Sequence, residues 1–318
     1  MSKIVKEKLA VIAVGGNALT TDQDHLSLAN QYEKAVEAAE HIADLMLDGW
    51  NVVVSHGNGP QIGLMLRRSE LASTEVPQMP MDYAGATTQG VVGYMFCKSL
   101  RNAFARRGLK REPVAVVTQT LVDGRDPAFA APVKPIGGWF TEERARILER
   151  EQGWRVIEDS GRGWRRVVAS PAPIKIVELE PISRMIKAGL TVIAVGGGGI
   201  PVVQGPSGEL IGVDAVVDKD RSAALLAGAL QADMLILPTA VEKVAVRFGQ
   251  PNQKWLDHLS VAEAEEYLAG GEFPAGSMGP KIDALLRFVK ATGGCGLITS
   301  PDKLREAVKG DTGTRISG

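Results

Sequence analysis

GPSGELIGVDAVVDKDRSAALLAGAL, running from Gly205 to Leu230, is the stretch on which the reading of this chain turns. In it Asp218-Lys219-Asp220 stands where an apolar helical run, Ala223 to Gln231, begins, and a short apolar strand, Met234 to Leu237, follows. Helix followed by buried strand is half of a βα repeat, and the alternation extends outward on both sides. Leu9 to Val14 is a short apolar run ending at Gly15-Gly16, a buried strand entering a tight turn. Tyr32 to Asp48 carries Ala35, Ala39, Ile42, Leu45 and Met46 at helical spacing, and Gly49 can end that helix. Trp50 to Val54 is the next strand, followed by His56-Gly57-Asn58-Gly59-Pro60. The order helix, glycine, strand, glycine turn returns over Glu178 to Gly199. Thr88 to Arg106, Val261 to Leu268, Lys281 to Ala291 and Pro301 to Lys309 read as helices. Val114 to Thr118, Val241 to Phe248 and Gly296 to Thr299 read as strands. The expected class is α/β with a mainly parallel central sheet. Asp123 to Lys175 breaks this rhythm, being rich in Pro, Gly, Arg and Trp, and reads as an inserted excursion that serves as a lid.

Composition narrows the classes. A chain of 318 residues allows one large α/β domain or two lobes. A net charge of −1 gives no basis for general nucleic-acid binding. Cys97 and Cys295 are far apart and read as reduced structural thiols. The four histidines, His25, His41, His56 and His258, lack metal-ligand spacing. Met1 to Leu9 is charged rather than apolar, and no apolar run approaches a membrane span, so the expected location is the cytoplasm.

Three lysines stand out. Lys219 lies between two carboxylates, Lys281 closes Gly276-Ser277-Met278-Gly279-Pro280-Lys281, and Lys134 lies in Pro132-Val133-Lys134-Pro135-Ile136-Gly137. A cation at a helix start opposes the helix dipole unless an anion is present. Four glycine turns, at Gly15, Gly57, Gly196 and Gly276, offer backbone amides to such an anion. Lysines and amides around an anion suit phosphoryl transfer, whose catalysis is mostly positioning and charge neutralisation. The plainer readings are solvated lysines and tight corners. Asp220 fits either a helix N-cap or an orienter of lysines. His56 fits either a general base or a packed loop residue. Arg162, Arg165 and Arg166 fit a solvated charge run equally well. No glycine-lysine-Ser/Thr motif occurs. Gly57-Asn58-Gly59-Pro60-Gln61-Ile62 has Ile62 where a dinucleotide fingerprint needs its third glycine.

These motifs resemble those of the carbamate kinases in the amino acid kinase family. The resemblance rests on Ala13-Val14-Gly15-Gly16-Asn17-Ala18, Val54 to Gln61, Thr88-Gln89-Gly90, Lys134-Pro135-Ile136-Gly137, Glu158 to Arg165, Gly196 to Pro201, Asp218-Lys219-Asp220 and Pro274 to Lys281. It implies an open αβα sandwich in two lobes with a protruding subdomain. Residues 1–122 and 176–212 would form the carbamate/carbamoyl-phosphate lobe, 123–175 the lid and 213–318 the nucleotide lobe. It also implies a homodimer and a reversible reaction of carbamoyl phosphate with Mg-ADP to give ATP and carbamate. Lys134, Lys219 and Lys281 would neutralise phosphate, with Asp220 organising them. Gly15, Gly16, Asn17, Gly57 and Asn58 would line the acyl-phosphate site. Thr239, Val241, Val244, Ser277 and Met278, with Lys219 and Lys281, would meet ATP or ADP. Mg²⁺ would be held mainly through nucleotide phosphates, without a dedicated protein site. Met81 to Thr87 departs from the family pattern, most at Tyr83 and Thr87, so a kinase of another small carboxylate remains open. A nucleotide-binding sensor without catalysis is the reading of a different class. Val91, Val92, Tyr94, Met95 and Phe96 on the helix Thr88 to Arg106 are expected to support a two-fold interface, with core packing as the rival reading.

Overall fold

The computed structural model describes residues 8–16, 27–159, 161–274 and 276–318. Its centre is an eight-stranded sheet in the order His258–Ser260, Thr314–Ser317, Cys295–Thr299, Met234–Pro238, Lys8–Val14, Trp50–His56, Thr191–Ile193, Pro113–Ala115. Every neighbouring pair runs parallel except Cys295–Thr299 against Thr314–Ser317. The apolar run Leu9 to Val14 makes a strand buried on both faces, as a parallel strand must be. Val11 and Ala13 point into one core cluster, while Ala10, Ile12 and Val14 point into the other. The helices Leu179–Lys187, Lys219–Ala229, Val261–Ala269 and Met278–Thr292 cover the first face. Leu28–Leu47, Met81–Arg107 and Leu304–Lys309 cover the second, completing an αβα sandwich.

The expected helices and strands occur, mostly with shifted ends. Thr88 to Arg106 extends back to Met81, with Pro80 as its N-cap residue, and Val241 to Phe248 shrinks to Val244–Val246. Val92, Met95 and Phe96 are buried in the core, and Val91 packs against it, so the core reading holds for that face. Tyr94, at 63% exposed, lies on the opposite side with Tyr83, at 65%.

The excursion has its own sheet. Lys134–Phe140, Trp164–Val168 and Arg155–Glu158 pair antiparallel outside the central sheet. Its two stems meet, because Gln119–Val122 pairs antiparallel with Pro173–Ile176 in a separate four-stranded sheet. Arg162, Arg165 and Arg166 are not a freely solvated run. Arg162 and Arg165 lie over Trp139, and Arg166 lies over Trp154. Burial lowers the Arg166 guanidinium pKa, against the pull of Asp214.

The turn Gly196 to Gly199 is wedged against the sheet ends. Gly199 has φ +86°, and a Cβ there would lie 2.0 Å from Thr120 Oγ1. Gly199→Ala should therefore lower stability by on the order of 2–4 kcal/mol, from strain and overpacking together. Gly228, in a helix with open space around its Cα, should gain about 0.5–1 kcal/mol on change to Ala. Denaturant melts of both variants check this contrast; equal and small effects would mean that the Gly196–Gly199 turn yields.

Candidate active site

The parallel strands deliver their glycine turns to one edge of the sheet, the carboxyl ends where open α/β sheets hold ligands. Lys8–Val14 ends at Gly15-Gly16, and Trp50–His56 ends at Gly57-Asn58. The Gly57 amide donates to Val14 O at 2.8 Å. A Cβ on Gly57 would lie 2.5 Å from the Gly16 nitrogen, so the two turns meet backbone to backbone. Asn58 is buried, and its Nδ2 donates to Thr88 Oγ1 at 2.9 Å. Thr88 Oγ1 in turn donates to Gly85 O. Gln89 Nε2 donates to the carbonyls of Thr118 and Gly196, and its Oε1 accepts from the Thr118 amide. Thr88-Gln89 thus fastens the Gly57-Asn58 turn and the Gly196 turn to the long helix. Asn17 lies outside the described residues.

His56 is buried behind these turns, stacked on Phe96 at 6.0 Å, with Nδ1 3.0 Å from Gly57 O. A carbonyl only accepts, so Nδ1 carries the proton. Burial pushes the imidazole pKa down to about 4 against the Gly57 carbonyl, and the Lys219 charge lowers it further. His56 is therefore neutral at neutral pH, and its burial against Phe96 fits the packed loop residue rather than a general base.

Two lysines gather on one carboxylate. Lys219 Nζ donates to Ala13 O at 2.9 Å and to Asp220 Oδ1 at 2.5 Å, and Lys281 Nζ reaches Asp220 Oδ2 at 2.9 Å. Burial alone would raise the Asp220 pKa, but the two ammonium groups hold it at about 2. Burial and the like charge of Lys281 push Lys219 downward, opposed by Asp220. The N-cap reading of Asp220 is corrected: Asp218 is the N-cap, its Oδ1 accepting from the amides of Asp220 and Arg221. Lys134 arrives from the antiparallel sheet, with Nζ 3.2 Å from Asp218 Oδ2. The structure thus brings all three lysines to one helix start, where three ammonium groups face two carboxylates. Sequence reasoning missed the part of Asp218. Its signal was available, since an aspartate directly before a helix is a common N-cap.

Past the end of the strand Met234–Pro238, the Thr239 amide donates to Thr299 O, and Val241 is half-buried. Val244 is fully buried in the core with its amide donated to Thr314 Oγ1, so it presents neither side chain nor amide outward. Ser277 is exposed at the start of Met278–Thr292 without a side-chain cap bond, and Met278 is partly buried. Among the described residues, no group of three or more His, Cys, Asp or Glu could hold a metal ion.

Comparison with known proteins matches this architecture. The amino acid kinase family profile covers residues 8–299. The chain belongs to the amino acid kinase family. Within the family it is 45% identical to a carbamate kinase of Thermococcus kodakarensis, over 97% of this chain and 99% of that protein. It is 44% identical to the carbamate kinase-like protein YahI of Escherichia coli, over 98% and 99%. A carbamate kinase from Giardia lamblia bound to AMP-PNP superposes with a TM-score of 0.93 at 38% identity, covering 98% of this chain and 99% of that one.

The His56 shift sets an acid limit. A histidine with a native pKa of about 4 takes its proton in the unfolded state first. Stability should fall as pH drops from about 6.5 to about 4, by roughly 3 kcal/mol in total. Asp220 acts lower, its stabilisation present above about pH 4 and lost as pH falls towards about 2. Melting temperatures between pH 7.5 and 4 should show the first slope, and His56→Gln should flatten it. An unchanged slope in the variant would assign the loss to other groups.

Proposed function

We propose that the chain is a carbamate kinase, carrying out reversible, Mg-dependent phosphoryl transfer between carbamoyl phosphate and ADP to give ATP and carbamate. The observation that carries this reading is the convergence of Lys134, Lys219 and Lys281 on Asp218 and Asp220 beside the paired glycine turns. In this reading a β-phosphate oxygen of ADP attacks the phosphorus of carbamoyl phosphate in line. The bond from phosphorus to the carbamoyl oxygen breaks, and carbamate leaves as an anion. No proton moves, so no general base is required, in keeping with a neutral, buried His56.

Gly15, Gly16 and Asn58, with Asn17, would hold the carbamoyl group and its phosphate through backbone amides, and Gly57, whose amide is taken by Val14 O, would line the site beside them. Lys219 and Lys281 would neutralise the transferring phosphoryl group, oriented by Asp220, and Lys134 would reach it from residues 123–175 acting as a lid. Thr239, Val241, Ser277 and Met278 would meet the nucleotide, while Val244 would support them from the core. Asp218 and Asp220 are committed to amides and lysines. Mg²⁺ would therefore be held mainly through the nucleotide phosphates, where it offsets their charge. Residues 1–122 and 176–212 would serve the acyl-phosphate side, and 213–318 the nucleotide side. Among the described residues no helix is long and apolar enough to cross a membrane, and we place the enzyme in the cytoplasm. Two copies would pair through the outer face of Met81–Arg107, where Tyr83 and Tyr94 are exposed. Sedimentation at micromolar concentration should give a dimer; a lone monomer would remove that part of the reading.

Coupled detection of ATP from ADP, Mg²⁺ and carbamoyl phosphate tests the main proposal. The departure at Tyr83 and Thr87, and the likeness to a carbamate kinase-like protein, make a panel of other small acyl phosphates the right control. Lys219→Ala and Lys281→Ala should each lower turnover on the order of 10²–10³-fold with folding intact, as removal of a preorganised charge does. Near-native turnover in either folded variant takes that lysine out of the mechanism.

A further inference from the structure

We infer that Asp218 is the positioning residue for Lys134, tying the lysine of the protruding sheet to the helix start that carries Lys219. The inference rests on the phosphoryl-transfer reading above and adds a residue to it. The Asp218 carboxylate is divided between two tasks. Its Oδ1 accepts from the amides of Asp220 at 3.0 Å and Arg221 at 3.2 Å, and its Oδ2 faces Lys134 Nζ at 3.2 Å. The helix cap fixes the orientation of the carboxylate, so the second oxygen is held in place before the lysine arrives. A surface ion pair usually loses its gain to the entropy of ordering both side chains, and here one partner is already ordered.

The charges around it require such a partner. Both oxygens of Asp220 are taken by Lys219 and Lys281. A third ammonium group brought to the same helix start meets two like charges and needs a second carboxylate. Among the described residues Asp218 is the ion-pair partner that Lys134 has. The Lys134 side chain is 41% exposed, so packing does little to hold its ammonium group. Its strand, Lys134–Phe140, belongs to a sheet that also meets residues 213–218 through Arg166 with Asp214, the Val216 amide with Ala169 O, and Val216 packed against the cluster of Ile136 and Val168.

Asp218→Asn separates the two tasks. Asparagine caps helices about as well as aspartate, so Oδ1 keeps its amides while the charge facing Lys134 disappears. In the full-length enzyme, kcat for ATP formation from carbamoyl phosphate should fall about tenfold, the scale of one charged hydrogen bond, with ADP affinity and melting temperature close to wild type. In a Lys134→Ala background the same change should have no further effect, because the partner is already gone. Asp218→Ser, a shorter cap without charge, should show the same coupling and covers the case in which the asparagine variant folds poorly. Equal losses with and without Lys134 would reduce Asp218 to a helix cap, and wild-type kcat in both folded variants would remove the tie. Hydrogen exchange of the substrate-free protein gives a readout without turnover. Asp218→Asn and Lys134→Ala should both speed exchange in residues 134–140 and leave 219–229 unchanged. Faster exchange confined to 219–229 overturns the proposal. If the wild-type enzyme makes no ATP from carbamoyl phosphate, the functional reading fails, and the exchange result still decides the tie.

Discussion

Two ammonium groups on one buried carboxylate constrain everything around them. Lys219 and Lys281 take one oxygen each of Asp220, and all three side chains are largely buried. Like charges at such separations repel by several kcal/mol at an effective dielectric of ~20, and the single carboxylate offsets one of them. The remaining positive charge favours an anion at this helix start. This explains why Lys219 also leans on the Ala13 carbonyl, a partial negative charge supplied by the first strand of the central sheet. The same link fixes the lysine to the strand whose end forms the Gly15-Gly16 turn. The lysine cluster and the glycine turns are therefore held by one short piece of backbone.

The glycine turns depend on close approach as much as on conformation. At Gly57 a side chain would collide with the Gly16 backbone, and at Gly197 it would strike the Asn58 side chain at 2.3 Å. Asn58, clamped between Gly197 and Thr88, leaves its amide at the end of a rigid strand, next to a Gly57 amide held by Val14 O. Preorganised donors of this kind need no rearrangement when charge develops, which is the main source of electrostatic catalysis. The buried, neutral His56 supports the loop without adding a competing charge beneath it.

The alternation of apolar runs and glycine turns made the central sheet legible, because parallel strands buried on both faces leave a simple mark in sequence. Lys219 and Lys281 were legible for a similar reason: a cation at a helix start is an anomaly that local structure does not explain. Asp218 escaped because its neighbour Asp220 carried the same chemistry, and only the helix geometry separates the cap from the orienter. Val244 misled because an apolar residue after Thr239 suits a base-binding wall and a core strand equally. The long helix misled in part, since Val92, Met95 and Phe96 at helical spacing mark an inward face whichever surface lies opposite. The arginines of 162–166 were ambiguous because stacking on Trp139 and Trp154 depends on cross-strand register, which residue counts do not give.

The protruding sheet is attached to the rest of the molecule by two different kinds of contact. Ile136 and Val168 join Ile62, Met81 and Ala84 in a small apolar cluster, which fastens the sheet to the helices beside the Gly57-Asn58 turn. On the other side, residues 213–218 add Val216 to that cluster and two charged contacts, Lys134 with Asp218 and Arg166 with Asp214. Apolar contacts are indifferent to a bound anion, whereas an ammonium group has three donors and can meet a phosphate while it keeps its carboxylate. In the proposed reading the apolar side would serve as the pivot, and the Lys134–Asp218 pair would keep the charged side in register. Within the sheet, Arg162 and Arg165 on Trp139, Arg166 on Trp154 and Arg146 on Trp164 add about 0.5–2 kcal/mol each to a segment with few buried apolar residues. In the proposed reading, that internal stiffness would let the sheet move as one body. A small rotation about the apolar pivot would then appear in full at Lys134, the residue proposed to meet the phosphate.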